Sequence, residues 1–249
     1  MSFREQLNRL VQLQVAEIAL RRAEAELADI PTECALAQER VDTVQGRVAE
    51  VETELEACLK SRRQHDGELQ EAEANLDRYR EHEMLVKTNE QLWALQGEMR
   101  QAQGVIDAVE EQILEEMERS DVLEAAIQQR QRELQETESE VEAALRDLDD
   151  KQARLEQERS EAIERIAAAR AEVGEELLAM YERVSRARDG VALAEALDGT
   201  CLGCNVRLRP QLYLEVLNLE APAHCDSCKR ILFSREALEL PSSVQILVD

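Results

Sequence analysis

Apolar residues recur every seven positions along the first third of the chain. One set of positions repeats from Leu13 to Leu76, and a companion set three residues later repeats from Ala16 to Tyr79. Apolar residues at both positions over many heptads are typical of a left-handed coiled coil. The pattern therefore predicts one long helix whose apolar seam packs against another helix.

A few residues interrupt or modify this first seam. Arg62 and His65 place polar side chains on it. Pro31 lacks the backbone N–H that a helix needs, so we expect a kink there or two abutting helices. Cys34 and Cys58 fall on the seam, where we interpret them as small core residues rather than reactive thiols.

A second seam follows. It begins with residues 92–113 and continues at sevenfold spacing from Ile127 to Leu155, with Ser120 as a polar gap. After Leu155 the larger apolar residues appear one position late, which predicts a slip that resumes at Ile163 and continues to Val184. Arg170 would then occupy a seam position.

The end of this second helix is marked by charge and by a glycine. Arg183, Arg186 and Arg188 suit the negative end of the helix dipole, and Gly190 can adopt a left-handed conformation after the last turn.

The break between the two helices is expected near residues 83–90. Thr88 followed by Gln91 forms a capping box, which starts a new helix. Two seams of similar length are best satisfied if the chain folds back on itself as an antiparallel hairpin. The alternative is one uninterrupted helix of about 180 residues that dimerises in parallel.

Composition supports a rod rather than a large globular core. Of the 249 residues, 34% are charged and only 2% are aromatic. No apolar run is long enough to span a membrane. The net charge is −24, almost all of it in residues 1–181. Such a surface repels nucleic acid and anionic membranes; it is either a solvated helix surface or a docking surface for a basic partner.

Two pairs of closely spaced cysteines indicate a metal centre. Two residues separate the thiols within each pair, and twenty residues separate the pairs; the residues are Cys201, Cys204, Cys225 and Cys228. Four thiolates complete the tetrahedral shell of one structural Zn²⁺ and leave no position for substrate. The alternatives are a pair of disulfides, a redox motif or a rubredoxin-like iron site. His224 is a less suitable ligand, and we expect it to face solvent.

The region around the cysteines predicts a small β-rich ribbon. Short apolar stretches at 191–194 and 231–233 are expected to be strands, and Gly203 is expected to supply the turn between the first two cysteines. Pro210 and Pro222 interrupt the connection between the cysteine pairs. So small a module requires the metal for its folding energy.

Basic residues accompany the cysteines and suggest a contact surface. The candidates are Arg207, Arg209, Lys229 and Arg230. Zinc ribbons present such side chains to nucleic acid, but here acidic neighbours balance them, and few aromatic residues are available to stack on bases.

Two segments resemble a bacterial family that joins a long coiled-coil hairpin to a C-terminal four-cysteine zinc ribbon. One segment is residues 86–98, where Thr88, Gln91 and Leu92 stand in place of the family's usual Asn, Glu and Tyr. The other runs from Gly190 through both cysteine pairs to Leu232.

The resemblance implies an antiparallel hairpin and an adaptor role. It also implies partners among flagellar or type III secretion components, or the alternative sigma factor of flagellar genes. One branch of the family is linked to RNA binding through the ribbon.

We therefore expect an all-α coiled-coil hairpin over residues 1–188 and a β-rich zinc ribbon with a C-terminal tail over 189–249. The expected function is a non-enzymatic adaptor that docks protein partners, with nucleic-acid binding through the ribbon as the alternative. No open metal position, nucleophile–base pair or phosphate-binding loop indicates an enzyme. The chain starts with charged residues rather than an apolar signal segment, so we expect a cytoplasmic protein. Trp93, large and near the expected turn, is the candidate partner contact.

Overall fold

The structure is a computed structural model that describes residues 2–241. Two long helices dominate it: α1 (Phe3–Glu83) and α2 (Asn89–Ala171). The chain forms two compact units. The ribbon unit combines Met1–Cys34 with Arg146–Asp249, and the turn unit is Ala35–Leu145. The last eight residues of the expected C-terminal tail, 242–249, lie outside the described residues.

The two long helices run antiparallel as a coiled-coil hairpin. In the turn unit, Arg40 Nη2 lies 3.0 Å from Glu140 Oε2, and Arg47 Nη1 lies 3.7 Å from Glu133 Oε1. Residue numbers thus fall along α2 as they rise along α1. The ribbon unit follows the same rule in the pairs Glu24–Arg159 and Glu33–Lys151. The hairpin is confirmed, and the uninterrupted parallel helix is excluded.

The seam predicted for α1 faces the partner helix throughout. All twenty predicted seam positions, from Leu13 to Tyr79, are buried or half-buried. Cys58 is among the most buried of them, and its thiol donates to the carbonyl oxygen of Glu116 at 3.2 Å. The helix continues through Pro31, so the expectation of two abutting helices was wrong. The proline side is solvent-exposed, where a missing backbone bond is tolerated.

The slip predicted in the second seam is absent. Ala162 is 3% exposed and Ala169 is 5% exposed, so the sevenfold spacing from Leu155 continues unbroken, while Ile163 is 47% exposed. The expectation was wrong because the sequence pattern gives more weight to the large apolar Ile163 than to the small Ala162 beside it, which is the seam residue. Arg170 is likewise exposed rather than on the seam.

The second long helix also ends earlier than predicted. It stops at Ala171, and a separate helix, α3 (Glu175–Ala187), follows. Gly174 takes an extended conformation at the start of α3, and its N–H donates to Gln6 Oε1 at 3.2 Å. Glycine is a poor helix former, and Gln6 satisfies the backbone group that the break frees. Beyond α3, Gly190 has a φ of +80°, the left-handed conformation expected of it.

A five-stranded sheet and two short helices complete the ribbon. The strand order is β3-β2-β1-β5-β4; β1 and β5 are parallel, and the other pairs are antiparallel. The strands are β1 (Leu193–Leu197), β2 (Thr200–Cys201), β3 (Val206–Arg207), β4 (Ala223–His224) and β5 (Ile231–Phe233). The helices are α4 (Pro210–Asn218) and α5 (Arg235–Leu238). The connection between the cysteine pairs therefore contains a helix, which the sequence pattern did not predict because prolines interrupt this segment. Pro210 occupies the first position of the helix, where proline is favourable.

The central strands of this sheet are buried on both faces. Leu193, Ile231 and Phe233 pack into a core with the start of α1 and with α3. Ala194 and Leu232 face the other way and pack against α4 and the cysteines. The ribbon therefore does not depend on the metal alone, because one of its two cores is built jointly with the long helices.

The side chain of Gln14 on α1 is buried and pairs with the backbone at the start of β1. Gln14 Oε1 accepts from the N–H of Leu193 at 2.6 Å, and Gln14 Nε2 donates to the carbonyl oxygen of Leu193 at 3.2 Å. The amide thus pairs with both backbone groups of a buried residue, which would otherwise be left without partners in an apolar core.

Replacing Gln14 by Leu is expected to destabilise the joint core. The substitution leaves the N–H and the C=O of Leu193 buried and unpaired, at a cost of about 1–3 kcal/mol each. Hydrogen exchange of residues 193–197 should accelerate accordingly. The control Gln38→Leu removes an exposed glutamine whose Nε2 donates to Asp42 Oδ1 at 3.0 Å, and it should leave this exchange unchanged. Equal exchange in both variants would contradict this role for Gln14.

Candidate metal centre

Two tight backbone turns carry the four cysteines. In the first turn, the N–H groups of Cys204 and Asn205 both donate to the carbonyl oxygen of Cys201, at 3.3 and 2.7 Å. In the second, the N–H of Lys229 donates to the carbonyl oxygen of Cys225 at 2.9 Å. Each turn therefore closes one residue after its second cysteine.

The left-handed residue of each turn is the one that follows its second cysteine. Asn205 has a φ of +56° and Lys229 a φ of +63°, whereas Gly203 is not among the residues of positive φ. Gly203 is needed for space instead: a Cβ at this position would lie 2.9 Å from Ala194 Cβ and 3.0 Å from Arg230 Nη1. Gly203 thus lies within the first turn, as expected, and provides space there rather than a left-handed conformation.

The four sulfur atoms converge on one point. All four Sγ atoms lie within 4.8 Å of one another. The Sγ atoms of Cys201 and Cys228 are 3.8 Å apart, and those of Cys204 and Cys225 are 3.7 Å apart. Four sulfurs at about 2.3 Å from a tetrahedral Zn²⁺ would be about 3.8 Å apart, whereas a disulfide requires about 2.05 Å. The donor set thus fits one structural Zn²⁺, and no disulfide joins these cysteines in the structure.

The cysteines differ in exposure and in acidity. Cys201, Cys225 and Cys228 are buried, while Cys204 is half-buried. Burial raises the pKa of Cys201 and of Cys228 above the usual range of a thiol. Burial also acts to raise the pKa of Cys204, but the backbone N–H of Val206 and the other three thiols together lower it to about 7. Zn²⁺ binding requires all four thiolates, so metal binding releases protons from the buried thiols.

Two arginines brace the turns through backbone carbonyl groups. Arg188 Nε donates to the carbonyl oxygen of Cys228 at 2.8 Å. Arg230 Nε donates to Val191 at 3.0 Å, and its Nη1 donates to Gly203 at 2.6 Å. The sequence pattern could not distinguish these arginines from surface charge, because their acceptors are main-chain atoms.

The other candidate contact residues lie on the surface. Arg207 and Lys229 are exposed. Arg209 forms a bidentate pair with Asp226, with N–O distances of 2.9 and 3.0 Å. Trp93 belongs to the turn unit rather than to the metal centre.

His224 is not part of the sulfur cluster. It lies in β4, and its Nδ1 is 3.3 Å from the carbonyl oxygen of Lys229.

A shell of four thiolates leaves no coordination position for substrate, so the arrangement supplies folding energy rather than chemistry. Among the described residues, no other group of three or more potential ligands converges in this way.

None of the helices within residues 2–241 combines the length and the apolar character that crossing a membrane requires.

Replacing Cys201 by Ser is expected to abolish zinc binding and to unfold the two turns, because three thiolates hold the ion far less well than four. The far-UV circular dichroism of the long helices should persist. Metal content measured by atomic emission checks the prediction. Cys34→Ser, which removes a half-buried seam thiol, is the control and should retain one zinc per chain. An unchanged zinc content in Cys201→Ser would contradict the assignment.

Comparisons with known proteins agree with this architecture. The CT398-like coiled coil hairpin domain matches residues 4–190, and the C4-type zinc ribbon domain matches residues 200–232. No curated protein matches the chain significantly in sequence.

Two solved structures share the fold. CT398 from Chlamydia trachomatis aligns with a TM-score of 0.77 at 20% identity and covers 93% of this chain and 98% of its own. A protein from Mycobacterium smegmatis aligns with a TM-score of 0.59 at 24% identity and covers 92% of this chain and 98% of its own. At such identities these structures support the fold alone. Because the hairpin match spans well over half of the sequence, the chain belongs to the family of the CT398-like coiled coil hairpin domain, with a C4-type zinc ribbon at the end of its hairpin.

Proposed function

We propose that this protein is a non-enzymatic adaptor that docks protein partners through exposed apolar residues at the turn of its hairpin. The observation that carries the proposal is the exposure of three large apolar side chains close together in sequence. Met84 is 88% exposed, Leu85 is 73% exposed and Trp93 is 72% exposed. Exposed patches of large apolar side chains mark interaction sites, and tryptophan is one of the residues enriched among those that dominate binding energy.

The geometry of the turn explains why these side chains remain exposed. Residues 84–88 belong to neither long helix, and the seam positions on either side, Leu76 and Leu95, are already buried. The apolar residues of the turn are therefore surplus to the packing of the hairpin. Thr88 Oγ1 accepts from the N–H of Gln91 at 3.4 Å and starts α2, which holds Trp93 on a regular helix.

The zinc ribbon is a second candidate docking surface. Exposed apolar residues also occur there, at Leu197, Val206 and Leu214. By resemblance, the partners we propose are flagellar or type III secretion components or an alternative sigma factor, and the site of action is the bacterial cytoplasm. A basic partner would additionally be attracted by the net charge of −24.

The alternative, nucleic-acid binding through the ribbon, receives less support. Arg209 is paired with Asp226, and Arg230 donates to backbone carbonyl groups. Of the four basic residues that the sequence suggested as contacts, Arg207 and Lys229 are left as exposed cations. Phosphate binding depends on several such charges acting together, and the acidic helices oppose it.

Replacing Trp93 by Ala is expected to weaken capture of the protein partner at least about tenfold, because truncating an aromatic anchor at an interface typically costs 2 kcal/mol or more. The experiment is a nuclease-treated pull-down from the native bacterium, followed by a binding titration with the partner recovered. Leu114→Ala is the matched control. It removes a similarly exposed apolar side chain (60%) from α2 within the same unit and should bind as the parent does.

Two results would overturn the adaptor proposal. One is equal partner binding by Trp93→Ala and the parent chain. The other is recovery of nucleic acid alone, lost when Arg207 and Lys229 are both replaced by Ala, with a steep dependence on salt. That second result would establish the nucleic-acid alternative.

A further inference from the structure

One of the four cysteines of the metal centre is more exposed to solvent than the other three. Cys201, Cys225 and Cys228 are 0%, 1% and 6% exposed, whereas Cys204 is only half-buried. A cysteine must be accessible and in its thiolate form before a dissolved oxidant attacks it. Zinc binding supplies the thiolate form at all four positions, so exposure singles out Cys204 among them.

The chain on either side of Cys204 explains why it remains accessible. The residue before it, Gly203, has no side chain that would cover the sulfur, and Ala194 and Arg230 leave no space for one. The two residues after it, Asn205 and Val206, are exposed. The accessibility of Cys204 therefore follows from the packing of the first cysteine turn.

A second sulfur atom lies close to that of Cys204. The Sγ atoms of Cys204 and Cys225 are 3.7 Å apart, and the two cysteines belong to different turns. A disulfide requires about 2.05 Å between its sulfur atoms, so the two would have to approach each other by only about 1.7 Å. Oxidation-sensitive cysteines often have such a neighbouring thiol, which converts the first oxidation product into a disulfide.

We propose that Cys204 is an oxidation site for hydroperoxides and that its oxidation releases the metal ion from the ribbon. The Cys204 thiolate attacks the O–O bond of the hydroperoxide, becomes a sulfenic acid and expels an alkoxide, which is hydroxide when the oxidant is hydrogen peroxide. The Cys225 thiolate then attacks the sulfenic acid sulfur, and hydroxide leaves as the disulfide forms. Two thiolates thus lose two electrons, and one hydrogen peroxide takes up two electrons and two protons to become two molecules of water.

The disulfide removes two of the four thiolates that hold Zn²⁺. Cys201 and Cys228 remain, and two ligands hold the ion far less well than four. The change is confined to one of the two cores of the ribbon, because the described residues of the core shared with α1 and α3 include no cysteine. Reduction of the disulfide by a thiol restores the four ligands.

Hydrogen peroxide added to the full-length, zinc-loaded protein tests the proposal. We expect release of one zinc ion per chain, measured with a chromogenic chelator. A sulfenic acid trap followed by mass spectrometry should label Cys204 first, and the product should contain a disulfide between Cys204 and Cys225. Dithiothreitol and added zinc should restore the bound ion. Cys34→Ser, which removes a half-buried thiol outside the metal centre, should release zinc at the rate of the parent chain.

Two variants with the same donor set separate the role of Cys204 from a general weakness of the centre. Cys204→His and Cys228→His each leave three thiolates and one imidazole, a set that also holds structural Zn²⁺. Cys204→His should release zinc at least about tenfold more slowly, because it lacks the accessible sulfur. Cys228→His keeps Cys204 and Cys225 and should release zinc at least as fast as the parent chain. Zinc content is measured before peroxide is added, and if either variant lacks the ion, the order of labelling in the parent chain decides.

The oxidation proposal fails on any of three results. One is retention of zinc at a peroxide concentration that oxidises Cys34. Another is labelling of a buried cysteine of the metal centre before Cys204. The third is equal release of zinc by Cys204→His and Cys228→His when both bind the ion. These results are independent of the adaptor proposal, because the metal centre belongs to the ribbon unit and Trp93 to the turn unit.

Discussion

The ribbon unit depends on the burial of two parallel strands from both sides. β1 and β5 pair at the centre of the sheet, with helices α1 and α3 packed on one face and the cysteines and α4 on the other. Neither face could be exposed without losing an apolar core. The metal centre is therefore held in place by the helices as well as by its own ligands, and Gln14 satisfies the backbone of β1 at the point where the two parts join.

The same burial explains why several arginines donate to backbone carbonyl oxygens. Arginine carries five donors in a fixed geometry, so it can bond to several carbonyl oxygens at once. Arg230 does so around the cysteine turns, where Arg188 also donates to one carbonyl oxygen, and Arg21 does so beyond α3, where it donates to the carbonyl oxygens of Asp189 and Gly190. Basic residues near a zinc ribbon are thus not evidence of nucleic-acid binding until their acceptors are known.

The long helices obey a simpler constraint. A heptad seam must bury one residue at each of its two seam positions in every seven residues, which is two helical turns, and what surrounds it can be almost wholly polar. The chain therefore tolerates a net charge of −24 and almost no aromatic residues. Large apolar side chains that remain outside the seam, as at Trp93, then stand out as candidates for contact with other molecules.

The sequence by itself determined the hairpin helices, their seam over α1 and the four-cysteine centre, because heptad spacing and thiol spacing are local patterns that report directly on geometry. It misplaced the seam near Ala162 and the end of α2, and it revealed neither α4 nor the lack of space for a side chain at Gly203. Those features depend on residues far apart in the chain: Gln6 stabilises the break at Gly174, and Ala194 leaves no space for a side chain at position 203. Only the tertiary structure decided them, because burial and close approach are properties of the packed chain.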